Sequence, residues 1–444
     1  MQTLLQGAKV YNGHGFDVTD ILVRDGIIAA VAPNITAPDT TVYKFHNKYI
    51  FPGFVDVHVH FREPGFSYKE DIKTGSLAAA AGGYTDVCTM PNLSPVPDSA
   101  EHLKEETDAI SEKAVINVYP YGSLSKGEEG KEISDLEAMA GSVIGFSDDG
   151  KGLASDDIMR EAMLRSKALG KPIAAHCEDM SVIGGSCVHD GAVARYLGIK
   201  GISSESEWKM VERDIELARE TGCAYHVCHV STKESVELIK KAKAAGVNVT
   251  CETGPHYLLL DENDILGELE KLEAQGLTKE EAAAGLGRFK MNPPLRTRED
   301  REALVEGLKN GIIDMIATDH APHVAEEKAK GILGGPMGVV GLENAFAVLY
   351  TGLVKTGVIT LERLIELMCK APAERFSIES TACDDNGISE GATAKLCVFD
   401  LEEEYTIEPA SFASKGRYTP FDGQRVWGRC LMTVCGSVVN IPEM

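Results

Sequence analysis

The chain has 444 residues, 43% of them hydrophobic, and a formal net charge of −24. That length and apolar share support one large α/β unit plus a smaller one and exclude an intrinsically disordered protein. The acidic balance argues against nucleic acid or an anionic membrane as a main partner, because both call for a basic surface, and no apolar run reaches the ~20 residues of a membrane span.

In chain order, "MQTLLQGAKVYNGHGF" lacks a basic region followed by an apolar stretch, so no signal peptide is expected. Residues 1–50 read as short strands with turns: "AKVYNG", "DILVRDGIIAAVAP" and "TVYKFHNKYIFPG". Strands then alternate with helices. Eight strand segments stand out: "FVDVHVH" (54–60), "TDVCTM" (85–90), "AVINVYPYG" (114–122), "VIGFSDD" (143–149), "PIAAHCE" (172–178), "YHVCHVS" (225–231), "VNVTCET" (247–253) and "DMIATDH" (314–320). Stretches such as "DSAEHLKEETDAISEK" and "SDDIMREAMLRSKALG" fill most gaps at helical period. This alternation predicts a TIM (β/α)8 barrel over residues 53–387. The end, with "ISEGATAKLCVFD" and "RCLMTVCGSVVNI", returns to strands. Neither terminal segment is long enough to fold alone, so 1–52 and 388–444 are expected to form one small β-sandwich domain. The charged helical stretch 261–290 is expected to be a mobile excursion beside the barrel mouth. Eleven cysteines, with no C-x-x-C pair, fit buried thiols in a reducing cytoplasm.

The first barrel segment carries the chemistry. Strand alternation puts Asp56, His58 and His60 on one face and Val55, Val57 and Val59 on the other, with the valines packed outward against helices. The histidines then point inward at the C-terminal end, where barrel enzymes keep their active sites. Two imidazoles so spaced can hold one metal ion, or can be hydrogen-bonded core residues. Other segments end in further ligand types: Asp148 and Asp149, His176, His229 and Asp319. Four histidines and two carboxylates match a two-zinc site with one carboxylate bridging. His226 precedes His229 by three residues and is expected to face away as a packed or hydrogen-bonded histidine. Glu178 and Asp179 are expected to support the ligands, and His256 has no assigned role.

Arg62, Asn92, Asn292 and His323 follow these segments, and such a set around a metal pair suits a small polar anion. The alternatives are a surface salt bridge for Arg62 and a turn role for Asn292 ahead of two prolines. The loop "ILGGPMGVVG" (332–341) either brings backbone N–H groups to a ligand or is simply tight.

With these residues in view, "DVHVHFREPG" and "ATDHAPHVAEEK" closely resemble the two signature motifs of dihydroorotases, of the amidohydrolase superfamily. "AAAAGGYTDVCTMPN", "SDDG", "HCED", "YHVCHVSTK", "MNPPLRTREDREAL", "GATAKLCVFD" and "TPFDG" extend the likeness over nearly the whole chain. The resemblance implies two zinc ions per chain, one bound by His58, His60 and Asp319, the other by His176 and His229, with Asp149 bridging. It implies Asp319 as catalytic acid/base, and Arg62, Asn92, Asn292 and His323 as substrate contacts, helped by the backbone of Met337 and Gly338. The implied activity is the reversible cyclisation of N-carbamoyl-L-aspartate to L-dihydroorotate in pyrimidine biosynthesis, in the cytoplasm, on a small-molecule substrate; a homodimer is admitted but not required. Related hydantoinases and allantoinases, and some dihydroorotases, bridge with a carboxylated lysine, where this chain reads "FSDDG". A hydantoinase or allantoinase reading leaves the Arg/Asn/His set unexplained, because those substrates lack the carboxylate. A catalytically dead scaffold should have lost ligands, and all are present.

Overall fold

A computed structural model describes residues 2–183, 185–379 and 387–442. The chain opens with five strands, β1 (Gln2–Tyr11), β2 (Phe16–Arg24), β3 (Ile27–Ala32), β4 (Thr41–Lys44) and β5 (Tyr49–Pro52). β1, β2 and β3 form an antiparallel meander, and β1 also pairs in parallel with β4 and β5. Nine further strands follow in chain order: β6 (Phe54–Val59), β7 (Tyr84–Thr89), β8 (Asn117–Pro120), β9 (Gly122–Ser123), β10 (Phe146–Ser147), β11 (Ile173–Ala175), β12 (Tyr225–Val227), β13 (Val249–Thr253) and β14 (Met315–Ile316). The C-terminal strands β15 (Lys395–Thr406), β16 (Arg425–Cys435) and β17 (Val438–Asn440) then return to the first group. β15 pairs antiparallel with β5, so one sheet, in the order β17-β16-β15-β5-β1-β2-β3, is built from both ends of the chain.

Alternation along β5 and β15 explains how this sheet is fastened down. Ile50 and Val398 face a core of Leu5, Ile21, Ile28 and Val434, while Phe51 and Phe399 face the helices. There Phe51, Phe54, Phe346 and Phe399 make an aromatic cluster, with Phe346 and Phe399 ring centres 4.3 Å apart.

The middle strands are all parallel. β6-β7-β8 form one ladder and β9 to β14 another, each in sequence order, and only Tyr121 separates β8 from β9. Beyond β14, His320 bridges back to Val59 in the parallel sense, and the His60 N–H donates to the His320 carbonyl at 2.9 Å. Helices fill the crossovers, as parallel pairing requires. Side chains of Asp71, Ser99, Ser155, Thr232 and Thr297 cap the starts of those at Ile72–Ala81, Ala100–Lys113, Asp156–Ala168, Lys233–Ala244 and Arg298–Lys309.

Two expectations need correcting. Strands are shorter than the apolar runs that predict them, because positive φ at Arg62 (61°), His229 (34°) and Asp319 (48°) turns the chain out of the ladder. The simple alternation along "VDVHV" also fails. Asp56 pairs with Val87 and Val59 with Thr89, so β6 takes three steps where β7 takes two. This bulge lets both Val57 and His58 face inward. Val55 and Val57 lie in an interior cluster with Cys88, Tyr121, Ala174 and Met315, and only Val59 joins the helix-facing core. Asp56 does not accompany the histidines either; its carboxylate accepts the N–H groups of His58 (3.0 Å) and Thr318 (3.1 Å).

The segment 261–290 is packed rather than loose. Its helices Glu262–Ala274 and Lys279–Ala284 bury Leu269 and Ala282, and the Glu262 carboxylate accepts the Ala192 N–H at 2.6 Å. Among the described residues no helix is long and apolar enough to cross a membrane, and thiols such as Cys88, Cys177 and Cys228 are buried and form no disulfide.

Glu106, on the helix covering β7, is 1% exposed; one carboxylate oxygen accepts from the Thr89 hydroxyl and the other has no partner. Burial pushes its carboxyl up to about 8 against the pull of Thr89. The folded state therefore holds a proton that the unfolded chain releases, and stability falls as pH rises from the ordinary carboxyl range through about 8. Thermal melts from pH 6 to 9 should show the parent losing Tm over this range and Glu106→Gln losing much less. Parallel curves would mean Glu106 is ionised in the fold.

Candidate active site

The bulge brings His58 and His60 to the same end of β6. His58, fully buried, places Nε2 3.4 Å from one oxygen of Asp149 and 3.5 Å from Asp319. His60 places Nε2 3.1 Å from Asp319 and 3.6 Å from the other oxygen of Asp149, while its Nδ1 meets Asn92 at 2.9 Å.

The two aspartates that end "FSDD" separate in role. Asp148 accepts the N–H groups of Leu124 (2.7 Å) and Ser125 (3.0 Å) and the Ser125 hydroxyl, so it ties down a loop. Asp149 stands among the imidazoles. Besides His58 and His60, it lies 3.9 Å from both His176 Nδ1 and His229 Nε2. Those two ring nitrogens approach each other to 2.8 Å, which the left-handed turn at His229 permits. On its far side His176 Nε2 meets Glu178 at 3.0 Å, and Asn292 donates to the same carboxylate oxygen at 2.8 Å.

Asp149 therefore belongs to two ligand groups, one with His58 and His60 and one with His176 and His229. Two atoms bear on what the cluster can hold: His58 Nε2 and one Asp149 oxygen are buried without a hydrogen-bond partner. Orphaned polar atoms facing each other at 3.4 Å fit cation ligation. The electrostatics agree. Burial disfavours charge on Asp149, yet His58, His60 and His176 hold its carboxyl well below the usual range. Burial likewise opposes charge on His58, and Asp149 overrides it to raise that imidazole well above its ordinary value. For His229, burial and the neighbouring His176 and His58 push the pKa down to about 3, which leaves a neutral ring free to ligate.

A cavity of about 250 Å³ opens above this cluster. Every expected site residue lines it except His58, which lies beneath: His60, Arg62, Asn92, Asp149, His176, His229, Asn292, Asp319, His323, Met337 and Gly338. The Arg62 guanidinium makes no ion pair or hydrogen bond among the described residues, and its Nε is buried without a partner. A surface salt bridge is thus excluded. A half-buried guanidinium that lines this cavity and has no carboxylate partner suits an anionic ligand. His323 Nε2 donates to the Met337 carbonyl at 2.8 Å, and its Nδ1 accepts from Lys69 at 3.2 Å.

Glu252, on β13, escaped the sequence reading. It meets His58 Nδ1 at 2.8 Å and His226 Nε2 at 3.2 Å, and so fixes the tautomer that presents His58 Nε2 to the cluster. His226 is hydrogen-bonded, as expected, but it points to the same side as the cluster because the turn at His229 breaks the alternation. A buried Glu in "VTCET" is the one signal that could have found this partner. Lys69 was missed as well. His256 is buried with one ring nitrogen unpartnered and does not line the cavity, and Asp179 caps a short turn through Ser181.

Comparison with known proteins falls in line with this geometry. A family model described as "Dihydro-orotase-like" matches residues 47–235. Proteins named dihydroorotase from Bacillus cereus (strain AH820) and Bacillus thuringiensis (strain Al Hakam) are each 46% identical over 441 residues, covering 99% of this chain and 98% of theirs. The chain belongs to the dihydroorotase family. Among solved structures, the L-hydantoinase (dihydropyrimidinase) from Arthrobacter aurescens is 27% identical with a TM-score of 0.82, over 98% of this chain and 95% of that one. The D-hydantoinase from Thermus sp., 23% identical with a TM-score of 0.83 over 99% and 95%, shares the fold.

The lysine nearest Asp149 in sequence, Lys151, turns to Glu128 at 3.5 Å and keeps a side chain 53% exposed. Lys151→Ala should leave metal content and activity unchanged, and reconstitution of the metal-free protein should be indifferent to bicarbonate, because an aspartate needs no carbon dioxide to form a bridge. A bicarbonate requirement, or loss of metal and activity in Lys151→Ala, would contradict this.

Proposed function

We propose that this chain is a two-zinc dihydroorotase that closes N-carbamoyl-L-aspartate to L-dihydroorotate and reverses that reaction. The parallel strands are read as a closed (β/α)8 barrel over residues 53–387, supported by the return bridge from His320 to Val59. Residues 1–52 and 388–444 are read as its companion β domain, supported by their shared sheet. Unpaired cysteines fit a reducing cytoplasm.

One ion would be held by His58, His60 and Asp319, the other by His176 and His229, with Asp149 between them. Bound there, zinc supplies Lewis acidity and makes hydroxide available near neutral pH. The remaining work belongs to the chain. Burial disfavours ionisation of Asp319, but His60 and His58 hold its carboxyl below the usual range, so it stands as the ionised carboxylate. Asp319 takes the proton of the attacking water and delivers it to the departing ring nitrogen; in closure the transfers reverse. Arg62 pairs with the substrate carboxylate, Asn92 and Asn292 supply amide groups, and His323 and the backbone at Met337 and Gly338 close the far wall.

The observation that carries this reading is the unpaired Arg62 guanidinium in the same cavity as the imidazole cluster. It favours a cyclic amide bearing a carboxylate over one without. The test is direct: the purified protein should close N-carbamoyl-aspartate and open dihydroorotate, with hydantoin and allantoin turned over far more slowly. Preference for hydantoin would overturn the reading.

Two substitutions divide the roles. Arg62→Ala should retain metal and lose roughly 2–5 kcal/mol of transition-state binding, measured as kcat/KM for dihydroorotate. Asp319→Asn should lower turnover by ~100- to 10,000-fold or more, since an amide neither accepts the proton nor ligates well. Retention of a tenth of the parental rate would assign the proton to another group.

A further inference from the structure

Lys328 is 1% exposed, and among the described residues no carboxylate pairs with its ammonium. Nζ instead donates to three backbone carbonyls: Gly338 at 2.7 Å, Lys290 at 3.0 Å and Pro336 at 3.2 Å. An ammonium has three donors, and here each has one acceptor. The Gly338 N–H adds a bond of its own to the Lys290 carbonyl at 3.0 Å. A buried cation satisfied only by carbonyl dipoles is an expensive way to join two segments; an apolar side chain would fill the space without that desolvation cost.

The segments it joins are the two that form the far wall of the cavity. Lys290 precedes the cavity residue Asn292 by two positions, and Pro336 and Gly338 flank Met337; Asn292, Met337 and Gly338 all line the cavity. The joint is tight. Gly338 has φ +128° and its backbone presses on Ala321 and His323, where an added Cβ would lie 2.6 Å from the Ala321 carbonyl oxygen. Gly287 meets the Lys328 carbonyl so closely that a Cβ would approach it to 2.3 Å.

We infer that Lys328 is a positioning residue for the reaction: its ammonium clamps the 336–338 loop to the 290–292 segment and so sets the geometry of the substrate-facing backbone and of Asn292, without touching substrate or metal. Burial, together with the nearby Lys290 charge, lowers its pKa to about 7, in keeping with a cation held by dipoles alone.

The inference rests on the dihydroorotase reading, and its test separates the two. Lys328→Met removes all three donors at similar length, and Lys328→Gln keeps two. KM for dihydroorotate should rise about tenfold or more in Lys328→Met and by an intermediate amount in Lys328→Gln, with kcat within about threefold and metal content unchanged. Amide hydrogen exchange over residues 335–340 should accelerate in the same order. Unchanged KM with unchanged exchange overturns the clamp, as does metal loss or failure of both variants to fold, which would make Lys328 a determinant of the fold. If the parent itself does not turn over dihydroorotate, the functional reading falls, and faster exchange in Lys328→Met still supports the clamp.

Discussion

One carboxylate surrounded by four imidazoles is the constraint on which the rest of the structure depends. Asp149 lies 3.4–3.9 Å from ring nitrogens of His58, His60, His176 and His229, residues spread over 172 positions of sequence. Such a cluster is unfavourable in a protein interior unless something balances it. Parallel strands suit the task because they all end on the same side, so ligands distant in sequence meet there at the cost of short crossovers. The price in regularity is visible: the ladder breaks at His229 and Asp319, and β6 bulges before His58.

Support for the cluster is layered. Glu252 holds His58, Glu178 holds His176, Asn92 holds His60, and Asp56 ties β6 to the turn that carries Asp319. Lys328 and Lys69 serve the opposite wall, one through backbone carbonyls and one through His323. The lower half is thus fixed largely by carboxylates against imidazoles, while in the upper half Lys328 bonds backbone carbonyls alone and Lys69 bonds both His323 and the Glu327 carboxylate. Arg62 stands apart, the one site cation with no partner among the described residues, and this asymmetry is what points to an anionic ligand.

Much of the site was legible in the sequence because its residues sit at the ends of apolar runs. His176 and Asp319 need only the period of a strand and its direction to be found. The sheet formed by both termini was readable from two short β segments too small to stand alone, although the parallel insertion of β5 beside β1 was not. The bulge at Val57 was illegible because it depends on how β6 pairs with β7, and no local pattern marks it. Glu252 and Lys328 were missed for a similar reason: their partners lie far away in sequence or on the backbone, which carries no residue identity. The packing of 261–290 was hidden by its charge, since its buried residues are few and widely spaced among glutamates and lysines.

The proposed two-metal site requires Asp149 to be shared by both ions. Anomalous diffraction at the zinc edge from crystals of protein purified without chelator tests it most directly. Two peaks per chain are expected, one beside His58 and His60 and one beside His176 and His229, with Asp149 between them. A single peak, or a pair bridged by any other residue, would contradict it.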